Sequence, residues 1–167
     1  MTTFFLSQLH SPLGLIHFIH QNDIVYALEF EEFQPRLIQS LTRYYSHPIE
    51  LQQAKNSTID ALLTTYFCGD ITALNRISTH ALGTTFQQSV WQALRTIPTG
   101  QTASYKEIAQ QIGLENGQRA VGMANAKNPI SLVIPCHRVV NSNGQLGGYS
   151  GGLWRKEWLL NHEKQRG

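Results

Sequence analysis

The sequence predicts an α+β protein in two parts. Residues 1–82 are expected to form an N-terminal α/β domain, a small antiparallel sheet with flanking helices, and residues 83–167 a mainly helical domain. Three observations carry this expectation. Residues 3–30 alternate short apolar runs with turn residues, as a β-meander does; residues 35–67 switch to helical spacing; residues 84–127 read as helix, glycine turn, helix. A chain of 167 residues has material for one good core, or for one small and one ordinary domain.

In the meander, Thr3–Leu9, Leu15–His20 and Ile24–Phe30 are the strands, separated by Ser11-Pro12-Leu13-Gly14 and by Gln21-Asn22-Asp23. Two helices follow. Pro35–Tyr45 places Leu37, Leu41 and Tyr44 on one stripe, and Ser57–Phe67 does the same with Ile59, Leu62, Leu63 and Tyr66 before Cys68-Gly69-Asp70 closes it. Residues 71–83 are mixed and polar, and are expected to be a linker. Beyond Gly83, Thr84 or Thr85 caps a helix carrying Phe86, Val90, Trp91 and Leu94, which Pro98 and Gly100 end. Ser104 caps a short helix holding Tyr105, Ile108 and Ile112; Glu107 stands three residues after the cap, as a capping box requires. Gly113 ends it. A third helix runs from Gln118 to Lys127, where Asn128-Pro129 stops it, so the set has the pattern of a helix-turn-helix. No repeat or low-complexity tract interrupts the chain.

Charge divides unevenly. Residues 1–83 carry four basic side chains against seven acidic ones, residues 84–167 nine against four, within a net charge of +2. A basic half is the footprint of a polyanion binder, and solvated surface charge explains it about as well. The chain opens without a basic n-region and apolar h-region, and no apolar stretch approaches about 18 residues. A cytoplasmic protein without membrane contact is therefore expected. Two cysteines make no disulfide framework, and the seven histidines show no metal-ligand spacing. Reduced thiols and no metal site are expected.

Chemistry concentrates in Ile134-Pro135-Cys136-His137-Arg138-Val139-Val140. Pro135 lacks an N–H and biases Ile134 toward an extended conformation, so Cys136 should sit where a strand ends and a fixed turn begins. A thiol attacks only as thiolate, and neighbouring His and Arg are the residue types that lower its pKa from about 8.5. A bare Cys-His pair reads as well, however, as a buried cysteine followed by a structural histidine. The helix over 118–127 has its own ambiguity. Ala120, Gly122, Ala124 and Ala126 strip it of bulk, and Gly122 costs about 1 kcal/mol relative to Ala. A helix is roughly 10–12 Å across and the minor groove of B-DNA only about 6 Å wide, so small residues would let it lie against that groove. Arg119 opposes the helix dipole from the first turn. Close helix–helix packing with a solvated Arg119 is the competing reading.

Together these segments resemble the O6-alkylguanine-DNA alkyltransferases, also called methylated-DNA–protein-cysteine methyltransferases. The matching strings are GTTFQQSVWQALRTIPTGQTASY, RAVGMAN, NPI, IPCHRVV, GGYSGGL and WLLNHE, spread from Gly83 to Glu163. Residues before Gly83 match only loosely, through the strand-then-helix plan and the Tyr66–Asp70 helix end. The resemblance implies that Cys136 accepts the alkyl group, that His137 is its base acting through a water, and that Glu163 orients His137. If Cys136 and His137 lie in an extended segment their side chains point to opposite faces, which makes direct contact awkward. By the same resemblance, Asn128 is the hinge tying the helix-turn-helix to the cysteine loop, and Arg119 the finger that fills the gap left by an extruded nucleotide. Tyr105 crowds the 3′ phosphate and protonates guanine N3. Tyr149, Ser150 and Gly151 wall the guanine pocket, and the Val139 carbonyl accepts from the guanine amino group. Ala120, Gly122, Ala124 and Lys127 join the DNA-facing set, Lys127 as an added phosphate contact where a small residue is usual.

The activity implied is stoichiometric, irreversible alkyl transfer from guanine O6 to Cys136, on double-stranded DNA, by a monomer without cofactor. O4-alkylthymine stays open as a second substrate. Two rivals remain at this stage: a sequence-specific regulator using the helix-turn-helix, disfavoured by the poverty of Asn, Gln and Arg over residues 120–124, and a Cys-His-Glu hydrolase with an acyl substrate.

Overall fold

The computed structural model describes residues 1–164; residues 165–167, the end of the domain expected over 83–167, lie outside the described residues. The chain is α+β and divides into two compact units. One comprises Met1–Leu82 with Pro129–Val133, the other Gly83–Asn128 with the chain from Ile134 onward. Residues 129–133, expected in the C-terminal domain, thus pack with the first unit.

In the first unit, β1 (Thr2–Ser11), β2 (Gly14–Gln21) and β3 (Ile24–Phe30) form the antiparallel meander. Asn22 and Asp23 both take left-handed φ, 54° and 62°, as a two-residue hairpin turn that follows strand twist requires. Two strands absent from the sequence reading widen the sheet. β4 (Ile49–Gln53) pairs parallel to β1, and β5 (Ser78–Thr79) parallel to β3, giving the order β4-β1-β2-β3-β5. α1 (Gln34–Thr42), shorter than expected at its C-terminal end, lays Leu37 and Leu41 on Phe4, Leu6, Ile19 and Ala27. α2 (Ser57–Phe67) is capped by Asn56, whose side chain accepts from the Ile59 amide at 2.9 Å. The expected linker is no linker: Ile71, Ala73, Leu74 and Ile77 are buried around a 3-10 turn over Ala73–Arg76, and β5 follows.

The 129–133 segment joins this unit at β3. The Leu28 amide donates to the Pro129 carbonyl at 3.0 Å, and the Ser131 amide to the Leu28 carbonyl at 3.1 Å. Leu132 then reverses the chain with φ 75°, inside a turn closed by the Val133 amide on the Ser131 carbonyl at 2.9 Å. Positive φ at a leucine is strained, and full burial of its side chain holds it there.

In the second unit, α3 (Thr85–Leu94), α4 (Tyr105–Gln111) and α5 (Gln118–Ala126) pack on one another. Thr84 with Gln87 and Ser104 with Glu107 form complete capping boxes. The Trp91 indole N–H donates to the Ala124 carbonyl at 2.9 Å, pinning α3 to α5. β6 (Ala103–Ser104) pairs parallel with β7 (Val139–Val140), and α6 (Leu153–Lys164) closes the unit. No helix among the described residues is long and apolar enough to cross a membrane.

Candidate active site

Cys136 does not end an extended strand; it opens a 3-10 turn over Cys136–Arg138. Pro135, with φ −82° and ψ 65°, forms the tight turn before it, closed by the Cys136 amide on the Ile134 carbonyl at 2.8 Å. In such a turn successive side chains diverge by about 120°, three residues completing each turn. Cys136 and His137 therefore still point apart, for a different reason from the one expected. Asn128 donates its side-chain N–H to the Ile134 carbonyl at 2.8 Å, and Asn125 donates to the Cys136 carbonyl at 3.4 Å. Asn125 in the last turn of α5 and Asn128 two residues beyond the helix thus hold alternate carbonyls of the cysteine loop. Asn125 was not singled out in the sequence; its pairing with Asn128, which lies two residues past the end of α5, shows only in the fold.

Behind Cys136 lies a fully buried polar chain. A carboxylate can only accept, so the His137 Nε2–H donates to Glu163 Oε2, at 2.9 Å. Its Nδ1 is then an acceptor, buried and without a partner among the described residues. Burial lowers the His137 pKa despite the nearby Glu163 charge, which keeps the ring neutral and basic at Nδ1. Burial alone would raise the Glu163 carboxyl. His137 outweighs it together with Arg138, whose Nε and Nη2 donate to the two carboxylate oxygens at 2.8 and 3.2 Å, and holds the group well below the carboxylate range. Arg138 also donates to the Ile97 carbonyl at 3.0 Å. Its contacts are with Glu163 and with Ile97 and Thr99 in the segment after α3, so it serves the carboxylate, where the sequence suggested a charge beside the thiol.

In front of Cys136 is a 150 Å³ cavity lined by Tyr105, Gly122, Asn125, Ala126 and Cys136 on one side and by Gly148, Tyr149 and Ser150 on the other. Tyr105 starts α4; burial first, then the neighbouring Cys136, raises its pKa, so it stays a neutral proton donor. A Cβ on Gly147 would come within 3.3 Å of the Tyr105 hydroxyl, at a backbone φ of 71°, so glycine suits this close approach twice over. Gly151 and Val139 lie outside the lining; each is held by its carbonyl, Gly151 by Arg155 at 2.8 Å and Val139 by Lys156 at 2.6 Å.

α5 separates its residues differently from the small-residue pattern. Arg119, Met123, Ala126 and Lys127 are exposed, Ala120 and Gly122 half-buried, and Ala124 is buried, its carbonyl taken by Trp91. Positions 120, 122 and 124 cannot share a face, because a two-residue step turns a helix by about 200°. The outward stripe is 119, 122–123 and 126–127, and Ala124 is a packing residue. Among the described residues no group of His, Cys, Asp and Glu is arranged to hold a metal, and neither cysteine forms a disulfide.

A family model described as 6-O-methylguanine DNA methyltransferase, DNA binding domain, matches residues 85–165. A methylated-DNA–protein-cysteine methyltransferase of Salmonella typhimurium is 43% identical over 159 residues, 93% of either chain. One from Mycobacterium leprae is 54% identical over 104 residues, 62% of either chain. The crystal structure of Mycobacterium tuberculosis OGT in complex with DNA superposes with a TM-score of 0.83 at 38% identity, covering 97% of this chain and 94% of that one.

Proposed function

The chain belongs to the methylated-DNA–protein-cysteine methyltransferase family, and from that premise we propose that it repairs alkylated DNA by moving the alkyl group of O6-alkylguanine onto its own Cys136. The observation that carries this is the buried Cys136 facing the cavity with a neutral His137 behind it, Nδ1 without a partner among the described residues and Nε2–H fixed on Glu163. His137 takes the thiol proton through a water. The sulfur then attacks the alkyl carbon; an S–C bond forms as the C–O6 bond breaks, and its electron pair leaves on guanine. Tyr105 donates a proton at N3 of the leaving base. The product is a thioether, which no neighbouring group can cleave, so each chain acts once and no cofactor is needed.

An alkyl group on O6 lies inside the duplex, so the nucleotide must be flipped, at a cost of a few kcal/mol that a damaged, poorly paired base reduces. The exposed stripe of α5 is the element for this: Arg119 fills the vacated stack, Gly122 lets the helix approach the minor groove with Ala120 adding no bulk at its flank, and Lys127 meets a phosphate. Tyr149 and Ser150 wall the pocket around the flipped base, with Gly151 shaping the loop and Asn128 fixing the cysteine turn. The Val139 carbonyl keeps a second lone pair beside Lys156 for the guanine amino group. The protein works as a cytoplasmic monomer on duplex DNA.

Incubation with duplex carrying O6-[methyl-³H]guanine tests the reading. Label on the protein supports it. DNA bound without transfer indicates a damage-binding or regulatory protein, and neither binding nor transfer points to a hydrolase.

A further inference from the structure

Lys156 on α6 has no exposed surface, and a buried ammonium requires compensation. Its Nζ donates to the Val139 carbonyl at 2.6 Å and to the Gly148 carbonyl at 3.0 Å. Those carbonyls belong to two different segments of the site. Val139 opens β7 directly after the Cys136–Arg138 turn, while Gly148 lines the cavity beside Tyr149 and Ser150. One ammonium therefore fixes the spacing between the strand that follows the nucleophile and the glycine-rich loop that faces it. The loop has further ties to the same helix: Arg155 holds the Gly151 carbonyl, and the amides of Arg155 and Lys156 both reach the Gly152 carbonyl, at 3.1 and 3.3 Å. Lys156 joins the two segments directly.

Both Lys156 partners are neutral dipoles, which offset a buried charge only in part. Burial lowers its pKa to about 8, against an opposing pull from Cys136. The coupling runs both ways: a thiolate at Cys136 favours the ammonium, and the ammonium favours the thiolate. His137 feels the same positive charge, which favours its neutral form.

We propose that Lys156 is a positioning residue of the transfer reaction, setting the separation of the glycine-rich loop from the strand that follows Cys136 and supplying the fixed positive charge that favours the Cys136 thiolate. This rests on Cys136 being the nucleophile assigned above. An apolar lysine isostere removes both contributions; arginine keeps the charge but is too broad to seat between two single carbonyls.

The test uses Lys156→Met and Lys156→Arg in the full chain, with two readouts. One is single-turnover methyl transfer from duplex O6-methylguanine at saturating DNA. The other is the pH profile of Cys136 alkylation by iodoacetamide, followed on the Cys136 peptide so that exposed Cys68 does not interfere. Tyr105, His137, Arg138, Arg155 and Glu163 are titratable or charged groups around the pair and are left intact. For Lys156→Met, transfer should slow about a hundredfold, the effect of misplacing a reacting group by about an ångström, and the alkylation profile should move to higher pH. For Lys156→Arg, transfer should stay slow while the profile returns toward wild type. A wild-type rate and an unmoved profile in Lys156→Met overturn the proposal.

Unaltered protein gives a check that needs no folded variant. With ¹⁵N at lysine Nζ, the Lys156 signal should titrate apart from the surface lysines and shift to lower pH once iodoacetamide has removed the Cys136 thiolate. A Lys156 titration indifferent to Cys136 alkylation refutes the charge role. Neither alkylation readout involves DNA, so a protein that fails to transfer methyl groups yet shows the coupling contradicts the proposed function and not this inference.

Discussion

Glu163→Gln is the perturbation with the largest consequence for its size. The carboxylate is buried and accepts from His137 Nε2 at 2.9 Å and from Arg138 at 2.8 and 3.2 Å. The amide keeps the shape, removes the charge, and turns one acceptor into a donor facing donors. Arg138, only 3% exposed, is left with a buried positive charge and no counterion. Breaking such a pair costs about 3–5 kcal/mol. At about 2–4 °C per kcal/mol for a chain of this size, the melting temperature should fall by roughly 6–20 °C. Catalysis suffers separately, because the imidazolium formed when His137 takes the thiol proton loses its stabilising charge. Transfer should slow by about 10²–10⁴, the range seen when the carboxylate behind a catalytic or ligating histidine is neutralised. The assay is single-turnover methyl transfer well below the variant's melting temperature, with calorimetry alongside. An unchanged rate with an unchanged melting temperature would reduce Glu163 to a helix-end charge and remove the relay.

Three further outcomes follow from the same geometry. Because the native Glu163 pKa is depressed, its stabilisation is fully present above the unfolded value of 4.5 and is lost as pH falls below it; the melting gap between wild type and Glu163→Gln should be constant near neutral pH and close in acid, and a gap that persists in acid contradicts the assignment. Arg119→Ala should slow repair of O6-methylguanine in duplex DNA while reacting almost normally with the free O6-alkylguanine base, since only extrusion loses a few kcal/mol; parallel losses, with a lower melting temperature, would make Arg119 structural. Gly122→Ala should separate stability from binding. Its Cβ would meet Tyr105 at an ordinary 3.8 Å, so helix propensity can raise stability by up to about 1 kcal/mol while duplex affinity falls; unchanged affinity would take Gly122 off the DNA-facing stripe.

What could be read from the sequence were the elements whose signals are local. The meander strands, Ser57–Phe67 and the Ser104–Glu107 box each depend on residues within a few positions of one another, and each stands where expected. β4 and β5 escaped because parallel pairing is not local: Ile49–Gln53 is a polar edge strand given meaning only by β1, and Ser78–Thr79 is two residues long. α6 escaped for a different reason. Its buried face includes Arg155, Lys156 and Glu163, so no apolar stripe marks it, and only the carbonyls and ion pairs of the folded site explain why charged residues point inward. The Cys136, His137 and Glu163 constellation was legible as residue types in an ordered motif. Its wiring was not: that Arg138 serves Glu163, that Ala124 faces inward and that Asn125 touches the cysteine loop are facts of three-dimensional placement.

Transfer stoichiometry at a named atom tests single-use alkyl acceptance by Cys136 most directly. With excess duplex O6-methylguanine, intact-protein mass should rise by one methyl group per chain and stop, and peptide mapping should find that group on Cys136, with Cys136→Ala unable to accept it while still binding the alkylated duplex. Continued turnover after every chain has reacted, or a methyl group recovered on exposed Cys68 in place of Cys136, would contradict it.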